Sequence, residues 1–272
     1  MKKNINNNIK LIQKYLTNNK NILFILTCIL FIILISLQLI FKFKFQQHKF
    51  IETFTTYDNF EYSDNLTINE IKILKIGQQK MTNMLKFFID ICNKYDIKYW
   101  AIGGTLIGAI RHSGWIPWDG DLDIGMMRED FNKFKSVIDN ELNNNKFNKK
   151  YIFEKKYDFL YKLRDPSIVY LKTEWGANWD NDLGLQLDIF INEIDKNKKH
   201  ITGIGPVVGT PGALTVDYDK IFPLKKLKFE GMDISVPNDY ENLSKETWGD
   251  NPPKLLPKEK RFPHEGRMKI IS

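Results

Sequence analysis

Asp119, Asp121 and Asp123 stand at every second position of Trp118-Asp119-Gly120-Asp121-Leu122-Asp123-Ile124, in an otherwise apolar and aromatic setting. Like charges at that spacing repel one another, so the arrangement is costly without a cation. In a strand, side chains i and i+2 share a face, roughly 6.6 Å apart. The three aspartates can therefore face one way if the strand begins early enough, with Leu122 and Ile124 turned into a core that fixes the register. Asp188 sits in Leu187-Asp188-Ile189 with the same alternation, and an adjacent strand could bring its carboxylate beside the pair. Asp121, Asp123 and Asp188 are thus the candidate ligands for Mg²⁺, or for Mn²⁺ in its place, with Asp119 a further catalytic candidate. Carboxylates around one or two such ions suit an enzyme that attacks phosphorus, because the metal binds phosphate oxygens and stabilises the leaving group. A carboxylate nearby can take the proton of the acceptor.

Two plainer readings compete. Asp119-Gly120 alone suits a solvated acidic turn, but three acids at a two-residue period inside an apolar frame do not. Asp119, Asp121, Asp123 and Asp130 also fall at positions 1, 3, 5 and 12 of a calcium loop. Position 6 of such a loop must be glycine for its sharp turn, and Ile124 stands there.

Upstream, Gly103-Gly104-Thr105 follows an apolar segment and precedes a helical one. Glycines there let backbone N–H groups approach a phosphate closely. Arg111 could clamp a phosphate with two hydrogen bonds or be an ordinary surface arginine. Arg128 could serve phosphate or pair with Glu129 or Asp130. His112 could act as a base, although a lone histidine is more often structural. Trp115 and Trp118 could stack a base or pack a core.

The elements that must position these groups follow from periodicity. Leu74, Met81, Leu85, Phe88, Cys92 and Tyr95 recur at helical spacing over residues 69–95, which predicts an amphipathic helix. A short strand is expected over 97–102, a turn or two of helix over 105–112, a strand over 121–126 and a second amphipathic helix over 128–142. Residues 151–153, 159–163 and 168–171 are rich in aromatic and β-branched side chains and predict strands, as does 184–190. Residues 202–212 form a Gly/Pro-rich loop. Residues 224–229 and 232–236 predict a hairpin around Glu230-Gly231, and Asp239 could cap a last helix running to Trp248. The class is mixed α/β, with no internal repeat.

The chain has 272 residues, 43% of them hydrophobic, and a formal net charge of +7. Much of that charge flanks one apolar run: Lys2, Lys3, Lys10, Lys14 and Lys20 precede it, and Lys42, Lys44 and Lys49 follow it. Residues 22–41 carry no charge, and twenty helical residues span about 30 Å, the thickness of a hydrocarbon core. The sequence thus predicts residues 1–21 as a disordered cytoplasmic tail, 22–41 as an uncleaved transmembrane helix, 42–66 as a stalk and 67–272 as the catalytic domain. The lysine excess ahead of the span orients it as a type II, single-pass protein, with the domain in the Golgi or ER lumen or otherwise extracytoplasmic. The sequons Asn65-Leu66-Thr67 and Asn242-Leu243-Ser244 agree with that side but arise readily in an Asn-rich chain. No basic-aromatic motif points to nucleic acid. With Cys28 in the span, Cys92 is alone in the soluble part, so an internal disulfide is not expected there. Oligomeric state is not legible.

The stretch from Gly103 through Arg111 and His112, followed by Ile116-Pro117-Trp118-Asp119-Gly120-Asp121-Leu122-Asp123-Ile124, resembles the LicD family, which includes bacterial phosphocholine transferases and the eukaryotic fukutin and fukutin-related proteins. Met127-Arg128-Glu129-Asp130-Phe131, Leu187-Asp188-Ile189-Phe190, Ile221-Phe222-Pro223-Leu224, Phe229-Glu230-Gly231 and Val236-Pro237-Asn238-Asp239-Tyr240 resemble its later segments. The resemblance implies a nucleotidyltransferase-like fold and transfer of a phosphorylated alcohol, phosphocholine or an alditol phosphate, from a CDP-linked donor to a glycan. It further implies Mg²⁺ on Asp121, Asp123 and Asp188, with Gly104 and Arg111 near the donor phosphates. Gly120 departs from the bulkier or acidic residue common in the family. The cysteine-rich zinc insertion of some animal members has no counterpart. Three other functions fit the same residues: nucleotidyl transfer from a nucleoside triphosphate, an Asp-x-Asp glycosyltransferase, and an inactive anchored module that binds glycan or nucleotide.

Overall fold

A computed structural model describes residues 66–144, 151–171, 184–197, 199–203, 215–248 and 267–271, with isolated positions elsewhere. The chain divides into two compact units, residues 1–60 and 61–272. In the first unit the described positions are few and helical. Among the described residues no helix is long and apolar enough to cross a membrane. Half of the predicted span 22–41 lies outside them, as do most of the tail, most of the stalk and the glycine-rich loop beyond Gly203.

The second unit opens with helix α1, Ile68–Lys94. Thr67 and Glu70 form a reciprocal capping box at its start, satisfying N–H groups that a helix end otherwise leaves without partners. Its apolar stripe (Leu74, Met81, Leu85, Phe88) is buried. The chain then runs through β1 (Trp100–Ala101), α2 (Gly103–His112), β2 (Leu122–Met127) and α3 (Arg128–Asn143). The hairpin β3 (Ile152–Tyr157) and β4 (Leu160–Asp165) follows, then β5 (Ile168–Leu171), which pairs with Arg267–Ile270 in a separate two-stranded sheet, and the long strand β6 (Leu185–Ile194). After it come β7 (His200–Thr202), β8 (Thr215–Asp217), the short α4 (Tyr218–Ile221), the hairpin β9 (Lys225–Phe229) and β10 (Met232–Val236), α5 (Tyr240–Trp248) and β11 (Arg267–Ile270).

The main sheet is mixed and ordered β1-β2-β6-β4-β3, with β7 and β8 continuing from β6. β2 and β6 run parallel; β1, β4 and β3 pair antiparallel. Alternation along β2 and β6 sends Leu122, Ile124, Met126, Leu187, Ile189 and Ile191 into the main core with the apolar faces of α1 and α3, as period-two geometry requires. Phe88 anchors that core, its ring 5.1 Å from those of both Tyr99 and Phe134. The opposite face carries Asp123 and Gly125 on β2, and Gln186, Asp188 and Phe190 on β6. Trp100 lies flat against Gly125, where a Cβ would stand 2.6 Å from the indole.

The first strand is shorter than the predicted 97–102. Ile97 N–H donates back to Cys92 at the end of α1, and Lys98 N–H donates to Asp130 on α3, so pairing begins only at Trp100. The predicted strand at 151–153 extends instead to Tyr157. β7, β8 and β11 were not predicted, their three or four residues being too short to establish a period.

Candidate active site

Parallel pairing of β2 with β6 sets Asp123 opposite Asp188. Asp121 immediately precedes β2. One carboxylate oxygen from each of Asp121, Asp123 and Asp188 lies within 4.8 Å of the other two, and all three residues are buried. Ligands of an octahedral Mg²⁺ stand about 3 Å apart when adjacent and about 4.2 Å when opposed, so the three oxygens would close in by up to about 0.7 Å each to hold one ion. The donor set is oxygen only, which suits a hard cation.

Asp123 is fixed through its backbone. Its N–H donates to Thr105 Oγ1 at 2.8 Å, and its carbonyl accepts from Ile102 N–H at 3.1 Å. Both bonds reach the start of α2, so the first turn of that helix abuts the carboxylates. Gly103 has φ +53°, a left-handed conformation that favours glycine. A Cβ on Gly104 would stand 2.4 Å from Asp119 Oδ2. Thr105, the third residue of the candidate phosphate-binding segment Gly103-Gly104-Thr105, is buried and its hydroxyl oxygen accepts from Asp123 N–H.

Asp119 does not join the cluster of three. Strand pairing starts at Leu122, and the chain turns just before it, with Asp119 N–H bonded to Ile116 O. The two-residue alternation therefore stops short of Asp119. Its carboxylate rests against the first turn of α2, where the helix dipole favours negative charge. The turn is pinned from two sides. Gln78 of α1 donates through Nε2 to the carbonyls of Asp119 (2.8 Å), Pro117 (3.2 Å) and Ile116 (3.2 Å). Tyr170 of β5 donates its hydroxyl to Gly120 O at 2.6 Å.

β4 adds positive charge. Lys162 lies opposite Asp188 and Arg164 opposite Gln186. Lys162 Nζ is 3.0 Å from Asp188 Oδ2 and 2.8 Å from Gln186 Oε1, while Gln186 Nε2 donates to Asp121 Oδ2 at 3.3 Å. Arg164 binds Glu154 of β3 and reaches the Gly184 carbonyl. The sheet face thus grades from acid on β2 and β6 to base on β4. Sequence reasoning missed Gln78, Lys162, Arg164, Tyr170 and Gln186. The usable signal was a glutamine in the apolar stripe of α1 and two cations at strand spacing in Leu160-Tyr161-Lys162-Leu163-Arg164.

Other expected residues lie elsewhere. Arg111 is in the last turn of α2, about 12 Å along the axis from Gly103. Its Nε donates to His112 Nδ1 at 3.3 Å. Burial and the neighbouring Arg261 guanidinium hold Arg111 below its ordinary pKa. His112 is pushed down to about 4 by burial, with Arg111 and Lys75 adding to the effect, so it is neutral at physiological pH. Arg128 pairs with Glu193 of β6 at 2.7 Å rather than with Glu129 or Asp130. It lies five residues past Asp123, about 16 Å of extended chain away. Trp115 and Trp118 are buried. Trp115 packs on Phe229 and donates its indole N–H to Thr82, the packing alternative of the two expected.

The family model described as LicD/FKTN/FKRP, nucleotidyltransferase domain, matches residues 96–239. The chain is 45% identical over 69 residues to the lipopolysaccharide cholinephosphotransferase LicD of Haemophilus influenzae, covering 25% of this chain and 26% of that protein. It is 29% identical over 177 residues to an uncharacterized protein of Rickettsia prowazekii, covering 64% and 57% of the two. It is 40% identical over 45 residues to the human ribitol 5-phosphate transferase FKRP, covering 16% and 9%. The chain therefore spans from under a tenth to little more than half the length of these relatives.

Proposed function

The chain belongs to the LicD family, and from that premise we propose that it transfers a phosphorylated alcohol from a CDP-linked donor to a glycan acceptor, using Mg²⁺ held by Asp121, Asp123 and Asp188. The observation that carries the proposal is the convergence of those three buried carboxylates beside the first turn of α2. The names of the relatives support the transferred group: one is a cholinephosphotransferase and another a ribitol 5-phosphate transferase.

In this reading Mg²⁺, when bound, neutralises phosphate charge and stabilises the departing CMP. Gly103 and Gly104 bring no side chain of their own to the first turn of α2, against which Asp119 rests, and their N–H groups are the ones that would meet a phosphate. Thr105 and Ile102 hold Asp123 in register. Gln78 and Tyr170 hold the turn that aims Asp121. A carboxylate of the cluster accepts the proton of the attacking hydroxyl. Anchoring by residues 22–41, with a lumen-facing domain, belongs to the same reading and rests on the sequence alone.

Nucleotidyl transfer from a nucleoside triphosphate is the second reading, favoured by the description of the matched family domain. A thermal-shift comparison separates donors. With Mg²⁺ present, CDP-ribitol, CDP-choline or CDP-glycerol at about 100 times its Kd would stabilise the fold by roughly 2.7 kcal/mol, a shift of several degrees. Stabilisation by UDP-sugars alone would contradict the proposal and favour an Asp-x-Asp glycosyltransferase. Stabilisation by nucleoside triphosphates alone would favour the second reading.

A further inference from the structure

Three buried carboxylates beside one buried lysine raise the question of how many cations this face accommodates. Lys162 is 4% exposed and Asp188 6%. The ammonium lies 3.0 Å from Asp188 Oδ2 and 2.8 Å from Gln186 Oε1. Gln186 in turn donates to Asp121 Oδ2 at 3.3 Å. One continuous chain of polar contacts thus joins β4 to the carboxylate at the entrance of β2, crossing β6 between them. The antiparallel register of β4 on β6 places Lys162 directly opposite Asp188, so the contact is imposed by the sheet.

Taking three like charges out of water is costly unless counter-charge is close. A bound divalent ion would supply it only when present. Lys162 supplies it at all times, from the β6 side of the cluster. Its nitrogen also takes up the space beside Asp188 that a second metal ion would need.

We infer that Lys162 is a resident counter-cation that fills one of two possible cation positions, so that the site folds without metal and accepts a single divalent ion, held by Asp121, Asp123 and Asp188 together. The inference rests on the reading of the cluster as a cation site, and it concerns the number of ions rather than the reaction. Lys162 is a positioning residue: it acts on Asp188 directly and on Asp121 through Gln186.

Mn²⁺ titration of the purified full chain, followed by electron paramagnetic resonance and by thermal unfolding, tests it. The wild type is expected to bind one Mn²⁺. Lys162→Met leaves Asp188 buried without its ammonium, so the metal-free melting temperature is expected to fall by roughly 5–10 °C. Mn²⁺ affinity is expected to rise roughly tenfold, because a repelling charge has gone, and the Mn²⁺-induced rise in melting temperature grows with it. Lys162→Arg keeps the charge; it should retain the one-ion stoichiometry and most of the metal-free stability, and it reports on the inference if the methionine variant fails to fold. Two Mn²⁺ ions bound by the wild type would overturn the inference while leaving the cation site intact. So would methionine or arginine variants whose affinity and metal-free stability contradict these directions. Absence of Mn²⁺ binding in the wild type would overturn the cation site itself, and the inference with it.

Discussion

Asp119, Asp121 and Asp123 share a spacing in the chain but not a destination in the fold. The period-two pattern predicts a strand-borne acidic face but carries no information on where pairing begins; β2 starts at Leu122, so Asp123 alone of the three lies on the strand, with Asp121 just ahead of it. Asp188 was legible from its apolar flanks, whereas Lys162 was not singled out, since a lone lysine in a strand is usually a solvated one. His112 shows the same limit, because its lowered pKa comes first from burial and then from Arg111 and from Lys75 of another helix. The unfolded imidazole titrates near 6.5, the folded one near 4. Between those values the unfolded chain binds a proton that the folded chain refuses, so stability rises with pH. The contribution is complete above about pH 6.5 and is lost as pH falls toward 4. Urea unfolding of wild type and His112→Gln at pH 7 and pH 5 checks this. The variant should lose about 1 kcal/mol less stability on acidification, a figure reduced for the partly exposed setting. Identical losses in the two proteins would refute it.

At the scale of elements, helical and strand periods located α1, α2, α3, β4, β6 and the β9–β10 hairpin from the sequence, since each is long enough to show its period. What escaped was the fastening between elements. Gln78 interrupts the apolar stripe of α1, where a hydrophobic residue would serve the core, and instead holds three carbonyls of the turn that precedes Asp121. Gln78→Ala leaves those buried acceptors without this donor, at a cost of about 1–3 kcal/mol. The looser turn should also cut kcat by roughly tenfold through misplacement of Asp121. Melting temperature and turnover of the folded fraction measure the two effects separately. A variant that loses stability but turns over normally would show that the turn does not aim the carboxylates. Trp100 against Gly125 is a related packing device that a sequence pattern cannot display, because a strand glycine alone does not name what lies on it.

In the unit of residues 61–272, one face of the mixed sheet meets the main core, and the other carries the charged groups together with a second apolar cluster around Trp100, Leu160 and Phe190. That division explains why an acidic cluster can be buried without unfolding the domain: the sheet hydrogen-bonds its backbone, α2 receives Asp119, and β4 brings Lys162 to Asp188. Family membership assigns the chain to a class whose named relatives transfer phosphocholine or ribitol phosphate. The central claim is Mg²⁺-dependent transfer of a phospho-alcohol at Asp121, Asp123 and Asp188. Its most direct measurement is chromatographic analysis of the nucleotide released when the purified full chain meets a CDP-alcohol, a glycan acceptor and Mg²⁺. CMP should appear, vanish on chelation of the metal, and fall roughly a thousandfold with Asp123→Asn while the melting temperature is kept. Undiminished CMP release by Asp123→Asn, or pyrophosphate from CTP with no CMP from any CDP-alcohol, would contradict the account.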